Sequence, residues 1–275
     1  MTPNLPQAPH FTVCLRTLSL ATVYTRCLDA LNDPTLGTPE ATERINRLRT
    51  TIESLVETTA EVRASHQDLP MSLIDHTDHT DHTVRSRLAQ LQVVTRAAVD
   101  ALTGAVEESD PASIASVDIR QASVDEARYL LATSATDLVA VAEQVAAEMH
   151  RYSSAYSIPE VGAHVALTAE HHQVLRLVAA GAVAVDEDGH TWVGLNKDSV
   201  DPGVLLHLER LGLITEEPSV SWAAEIRVAS TPMGRLVLAA TMSRPEPCEA
   251  EGKSAPAPAA SAPRRPGQTA GRTGR

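Results

Sequence analysis

The sequence predicts a mostly α protein in three parts: an N-terminal antiparallel helical bundle or coiled coil, a small α+β domain, and a disordered basic tail. Three observations predict it. Up to residue 157, apolar residues recur in steps of three and four over long stretches, the spacing of a helical seam. Between residues 160 and 244, short helical patterns alternate with strand patterns at close intervals. From residue 245 the chain is rich in Pro, Ala, Ser and Gly and has almost no apolar bulk. Hydrophobic residues make up 43% of the 275, enough for a core, but only one is Phe. Ala, Val, Leu and Ile must therefore build that core.

Residues 1–10 carry three prolines and are expected to be flexible. The helical region spans 11–157. Its first helix, 11–31, places Val13, Leu20, Tyr24, Leu28 and Leu31 at helical spacing, and Asn32-Asp33-Pro34 stops it. Thr38 reads as the N-cap of the next helix, with Pro39 at the first helical position and Glu40 near the positive end of the dipole. Ile45, Leu48, Ile52, Leu55 and Val62, with Thr59 in the same series, carry its seam toward Gln67. A third helix follows His82, with Val84, Leu88, Leu91, Ala98, Leu102 and Ala105 in line and Thr95 filling the gap. Ser123-Val124-Asp125-Glu126 reads as a capping box that opens a fourth. Its seam is Val124, Ala127, Leu131, Ser134, Leu138, Val141 and Val145. Long helices of similar length joined by short breakers argue for antiparallel packing. Seams this narrow leave room for a dimer or a partner helix.

Charge narrows the function classes. Through residue 159 there are 12 Arg against 21 acidic residues, a net of −9, so this region should not follow a nucleic-acid backbone. No run of about 18 apolar residues occurs, so no membrane span is expected. The N-terminal segment lacks a basic leader region and Arg16 interrupts its apolar run, which reads as cytoplasmic. Cys14, Cys27 and Cys248 are odd in number and form no CxxC pair, so free thiols are expected rather than a disulfide framework or a zinc site.

The domain at 160–244 has readable punctuation. Thr168 caps a short helix with Val174, Leu175 and Val178 inward and Gly181 at its end. Val183-Ala184-Val185, a turn at 186–189 and the run 190–195 read as a β-hairpin. Asp201-Pro202 starts a second helix. A second hairpin follows, from Leu213-Ile214-Thr215 through a polar loop to the strand ending at Ser230. Thr231-Pro232 opens the last helix.

The order LTAEHHQVLRLVAAG, LLHLERLGLI, hairpin, STPMGRLVLAA resembles a winged-helix (winged helix-turn-helix) domain of small bacterial and phage regulators, over roughly residues 165–242. The resemblance makes the helix before Gly212 the recognition helix, the second hairpin the wing, and Thr231-Pro232 the start of the closing helix. It implies a DNA-binding, transcription-regulating role with double-stranded DNA as partner. Lys197, Ser199, His207 and Arg210 would then face the groove, and Arg227 and Arg235 would reach phosphates. A hairpin and the loop Asn196-Lys197-Asp198-Ser199 stand where the family has another helix, and Glu216-Glu217 occupy the wing tip. Residues 160–244 hold 6 basic and 11 acidic residues, a net of −5. Dimerisation through the helical region, or the basic tail at 245–275 acting as an arm, would offset that balance. The alternative is a non-enzymatic adaptor or structural protein that binds a partner through its coiled-coil helices. A neutral or acidic groove-facing surface would favour it.

Other signals yield no site. Residues 75–83 repeat Asp-His-Thr three times; His76, His79 and His82 would share a helix face, but the repeat reads as a low-complexity insertion. His171 and His172 are adjacent on one helix and point about 100° apart, and with His164 they are not read as a metal site. Gly252-Lys253-Ser254 mimics the end of a phosphate loop, but Pro247 stands where that motif needs Gly. Asp186, Asp188 and Gly189 hint at a calcium loop whose twelfth position is Lys197, so they read as a turn. Trp192 and Trp222 are read as plugs between sheet and helices. No catalytic motif is found, and no enzyme, cofactor or metal is expected.

Overall fold

The computed structural model of the chain describes residues 9–69, 79–107, 114–150, 167–186, 188, 190–193, 199–219 and 226–242. The expectations for His76, His164, Lys197, Trp222, Cys248 and the tail at 245–275 lie outside these residues. The protein is mostly helical, with a small four-stranded antiparallel sheet. Five helices come first: α1 (Pro9–Leu31), α2 (Thr42–Gln67), α3 (His79–Glu107), α4 (Ile114–Leu131) and α5 (Ser134–His150). Then follow α6 (Ala169–Ala179), β1 (Val183–Val185), β2 (Thr191–Val193), α7 (Pro202–Arg210), β3 (Ile214–Pro218), β4 (Ile226–Ser230) and α8 (Pro232–Met242).

The first helix holds the molecule together. It packs on α2, α4 and α5 and also on α6 and α8. Phe11, Cys14, Leu18, Ala21, Tyr24 and Leu31 share one buried face, and Val13, Leu20, Thr22 and Cys27 widen the buried surface to more than half of the helix. Full burial of a Leu or Phe contributes about 1.5–3 kcal/mol, so this helix carries a large share of the core. The seams of α2 and α3 meet, and their two threonines have a purpose that spacing alone does not reveal. The Thr59 and Thr95 hydroxyls donate to the Leu55 and Leu91 carbonyls, each at 2.6 Å. Their oxygens remain free to accept from the buried Tyr24 hydroxyl, which lies 2.6 Å from Thr95 and 3.3 Å from Thr59.

Five boundaries differ from the sequence expectation. The N-terminal helix begins at Pro9, so His10 is a buried helical residue rather than part of a flexible end. Thr38 holds the N-cap position of a 3-10 turn with Pro39 first, as expected, but its hydroxyl donates to the Thr35 carbonyl at 2.9 Å and makes no cap bond. Two 3-10 turns, Pro34–Gly37 and Pro39–Ala41, intervene, and α2 starts at Thr42. The third helix starts at His79, inside the Asp-His-Thr repeat. Ser123 opens no helix: α4 starts at Ile114 and passes through it. Arg120 supplies a reason. It is 3% exposed, and its guanidinium donates to the Ala105 and Thr38 carbonyls, tying the early turns of α4 to the end of α3. The helix expected to run on past Leu131 breaks at Ala132-Thr133. There Asp137 N–H bonds the Thr133 carbonyl and α5 begins, with Leu131, Ser134 and Leu138 still buried in line.

The sheet order is β2-β1-β4-β3, with every pair antiparallel. Both expected hairpins are present: Val183 faces Val193 across β1 and β2, and Ile214 faces Ser230 across β3 and β4. Local capping sets the helices around the sheet. Thr168 and His171 form a reciprocal capping box on α6. Asp201 accepts from Gly203 N–H at 2.8 Å, with Pro202 at the first position of α7. Gly212, at φ +67°, lets α7 end and the chain turn directly into β3. At α8, Thr231 accepts from Gly234 N–H at 3.0 Å and donates to the Gly212 carbonyl at 2.7 Å. A β-carbon on Gly234 would overlap the Leu213 carbonyl, so the glycine permits this close approach of helix to strand.

One helical stretch, Val117–Glu148, is long and apolar enough by composition to cross a membrane, although counting consecutive apolar residues does not single it out. Half of its most apolar window is buried inside the protein.

Candidate functional site

The surface of interest forms where α7 lies beside β3. The helix turns Val204, Leu205 and Leu208 inward, and its short stripe leaves Leu206, His207, Glu209 and Arg210 facing out. Between helix and sheet runs an apolar groove of about 200 Å³. Leu205, Leu206, Ile214 and Val228 line it, with Glu209 and Glu216 beside them. Leu206 is 46% exposed, an unusual position for a leucine in a domain with few large side chains.

Of the six residues predicted to meet DNA, Ser199, His207 and Arg210 are exposed, and none of them lines the groove. The His207 ring packs edge-on against His171, with centroids 4.8 Å apart. Lys197 lies outside the described residues.

Arg227 and Arg235, expected to reach phosphates, are turned inward against α1. The Arg227 side chain is 8% exposed; its Nη2 pairs with Glu217 at 2.5 Å and its Nη1 lies 3.6 Å from Asp29. It also donates to the Thr25 carbonyl at 3.3 Å. Arg26 grips Glu217 from α1 through both Nε and Nη2. These hydrogen bonds and charges, those of Arg26 foremost and of Arg227 next, outweigh burial and hold the Glu217 carboxyl below its usual range. Ser219 donates to Asp29 at 2.5 Å and extends the network. Arg235 bonds the Ser230 carbonyl at 2.6 Å and the Thr22 hydroxyl at 3.4 Å. Burial, with the Arg26 charge, lowers its pKa.

The two wing glutamates therefore part company. Successive strand residues point to opposite faces, so Glu217 turns to α1 while Glu216 stays exposed. Glu209 and Glu216 are the charged residues that line the groove among the described residues; Asp201 and Arg210 are exposed but do not line it. Arg176 pairs with Glu143 of α5 at 3.2 Å and adds no positive charge to the groove.

The β1–β2 turn is a separate feature. Asp186, Asp188 and His190 could offer ligand atoms within 4.8 Å of one another. The Asp186 carboxylate already accepts the backbone N–H groups of Asp188 and His190, and the Trp192 indole lies 3.3 Å away. Burial is the largest single influence and opposes them, yet the His190 and Trp192 bonds together hold the Asp186 carboxyl low. The carboxylate is thereby spent on closing the hairpin and anchoring half-buried Trp192.

Sequence reasoning missed Leu206, Glu209 and Glu216 as one surface. The signal for Leu206 was present: Leu205 and Leu208 share a stripe and Leu206 falls off it. It missed Arg26 and Asp29 because they lie about 190 residues from their partners, as Arg26 and Glu217 do at a separation of 191. No protein-family model, no curated protein and no solved structure matches the chain.

Proposed function

We propose that this chain is a non-enzymatic protein-interaction module whose α7–β3 face contacts a protein partner. The observation that carries this reading is the composition of that face: an apolar groove with exposed Leu206, lined by the carboxylates Glu209 and Glu216 and by no cation among the described residues. Phosphate neutralisation supplies most non-specific affinity for DNA, and this face offers the wrong sign for it. The arginines that would supply positive charge, Arg227 and Arg235, serve the contact with α1 instead. Exposed apolar surface bordered by polar groups marks protein contacts.

A second reading has its own support. The helix α7 leading into an antiparallel hairpin whose inner strand pairs with β1 is the arrangement expected of a winged helix. Under that reading the chain is a DNA-binding regulator, dimerised through its helical region, and Ser199, His207 and Arg210 meet the groove.

One experiment separates the two. A photo-crosslinking amino acid replaces Leu206, and the adducts formed in the source cells are digested with protease or nuclease. Protease-sensitive adducts support the protein-contact reading; nuclease-sensitive adducts overturn it in favour of DNA. Anisotropy titration with mixed duplex fragments at low and moderate salt, with and without residues 245–275, gives the independent check. The protein-contact reading expects no salt-sensitive binding by the shortened chain.

A further inference from the structure

Strand β3 lies at the end of the sheet order, with β4 on one side only. Among the described residues its backbone makes no ladder with any other segment. Thr215, Glu216 and Pro218 are exposed along it. An unpaired strand edge presents a row of N–H and C=O groups that can template another strand. The apolar groove crosses the sheet face beneath α7 and reaches this strand, lined by Val185 of β1, Val228 of β4, Ile214, Thr215 and Glu216 of β3, and Leu206 of α7. Glu209 lines it too, and neither it nor Glu216 has a cationic partner among the described residues.

We propose that the edge of β3 accepts an extended segment of a partner protein whose every second residue faces α7, with an apolar side chain entering the groove and Arg or Lys two positions to either side meeting Glu209 and Glu216. This deepens the protein-contact reading and rests on it. In strand addition the main-chain bonds supply affinity while alternate side chains supply specificity. Pro218 lacks an N–H and ends the ladder, so the added strand is short and begins beside Ile214–Glu217. A second copy of this chain is a poor occupant. Edge-to-edge pairing of two β3 strands would bring Glu216 near its own counterpart, and like charges across strands repel.

The test uses the full chain and three fluorescent hexapeptides. The first, Arg-Thr-Val-Thr-Arg-Thr, carries Val and Arg on one face; the second has Glu in place of each Arg; and the third is the Val/Arg peptide with alternate backbone nitrogens methylated. Methylation on the pairing edge keeps charge and side chains but removes the ladder donors. Anisotropy should show binding of the Val/Arg peptide and none of the Val/Glu peptide. Methylation should weaken binding about tenfold or more. Glu216→Lys and Glu209→Lys should each weaken it as well, with circular dichroism confirming that these exposed variants fold. Failure of the Val/Arg peptide to bind, or equal binding of its methylated form, overturns strand addition. Protein adducts at position 206 would still stand in that event, so the broader reading fails only on its own test.

Discussion

Replacing Arg227 by Leu probes the joint between α1 and the sheet. The side chain is 8% exposed, and its two carboxylate partners, Glu217 and Asp29, are 22% and 13% exposed. Removing one member of a buried ion pair costs about 3–5 kcal/mol, because the partner charge stays desolvated. Here the loss is reduced, since Glu217 keeps both bonds from Arg26 and Asp29 keeps the Ser219 hydroxyl. The expected loss is about 2–3 kcal/mol. At roughly 2–4 °C per kcal/mol for a chain of this size, Tm falls by about 4–12 °C. Urea unfolding followed by circular dichroism measures the free energy, and Glu217→Gln completes a double-mutant cycle.

The same network sets a pH dependence. Glu217 is held below its ordinary value of 4.5, so its stabilising contribution is complete above that value and is lost as pH falls through the folded-state value. Arg227→Leu removes part of what holds it there, and the variant should lose less stability on acidification than the parent. A loss below about 0.5 kcal/mol, within the usual range for surface substitutions, would refute the reasoning. So would an unchanged acid profile.

Burial pushes the Cys14 thiol up to about 12 and Cys27 up to about 11. In a Cys248→Ser variant at pH 8, neither should react with an aromatic disulfide reagent until urea unfolds the chain; fast stoichiometric labelling of the native protein would contradict this. Gly234→Ala sets a β-carbon against the Leu213 carbonyl and should cost about 2 kcal/mol or more in thermal melts. Thr95→Val leaves the Tyr24 hydroxyl with only its longer contact to Thr59 and should cost about 1–3 kcal/mol, while Tyr24→Phe should cost less. Arg210→Ala should leave any duplex-DNA binding by the full chain unchanged. A clear weakening would return the recognition role to α7.

Much of the fold was legible because its signals are local. The caps at Thr168, Asp201 and Thr231 and the two hairpins each depend on residues a few positions apart. So do the buried stripes of α2 and α3. The errors fall where local chemistry is ambiguous. Ser123 has the right neighbours for a capping box, but Arg120 reaches Ala105 and Thr38 and keeps the preceding turns helical. Thr38 has the right residues after it, yet its hydroxyl is taken by Thr35.

By itself the sequence determined most of the segments that become helix or strand, though not all of their ends, because capping and side-chain periodicity act over a few residues. It also determined that a chain with one Phe would close its core with small aliphatic side chains. Only the tertiary structure decided the surface. Arg227 and Arg235 look like free cations in sequence, but α1 brings Asp29, Thr22, Thr25 and Arg26 against their strand and helix, and both are absorbed. What remains exposed is Leu206 with Glu209 and Glu216. Such a surface is set by which distant charges neutralise one another, and that depends on the packing of segments nearly two hundred residues apart.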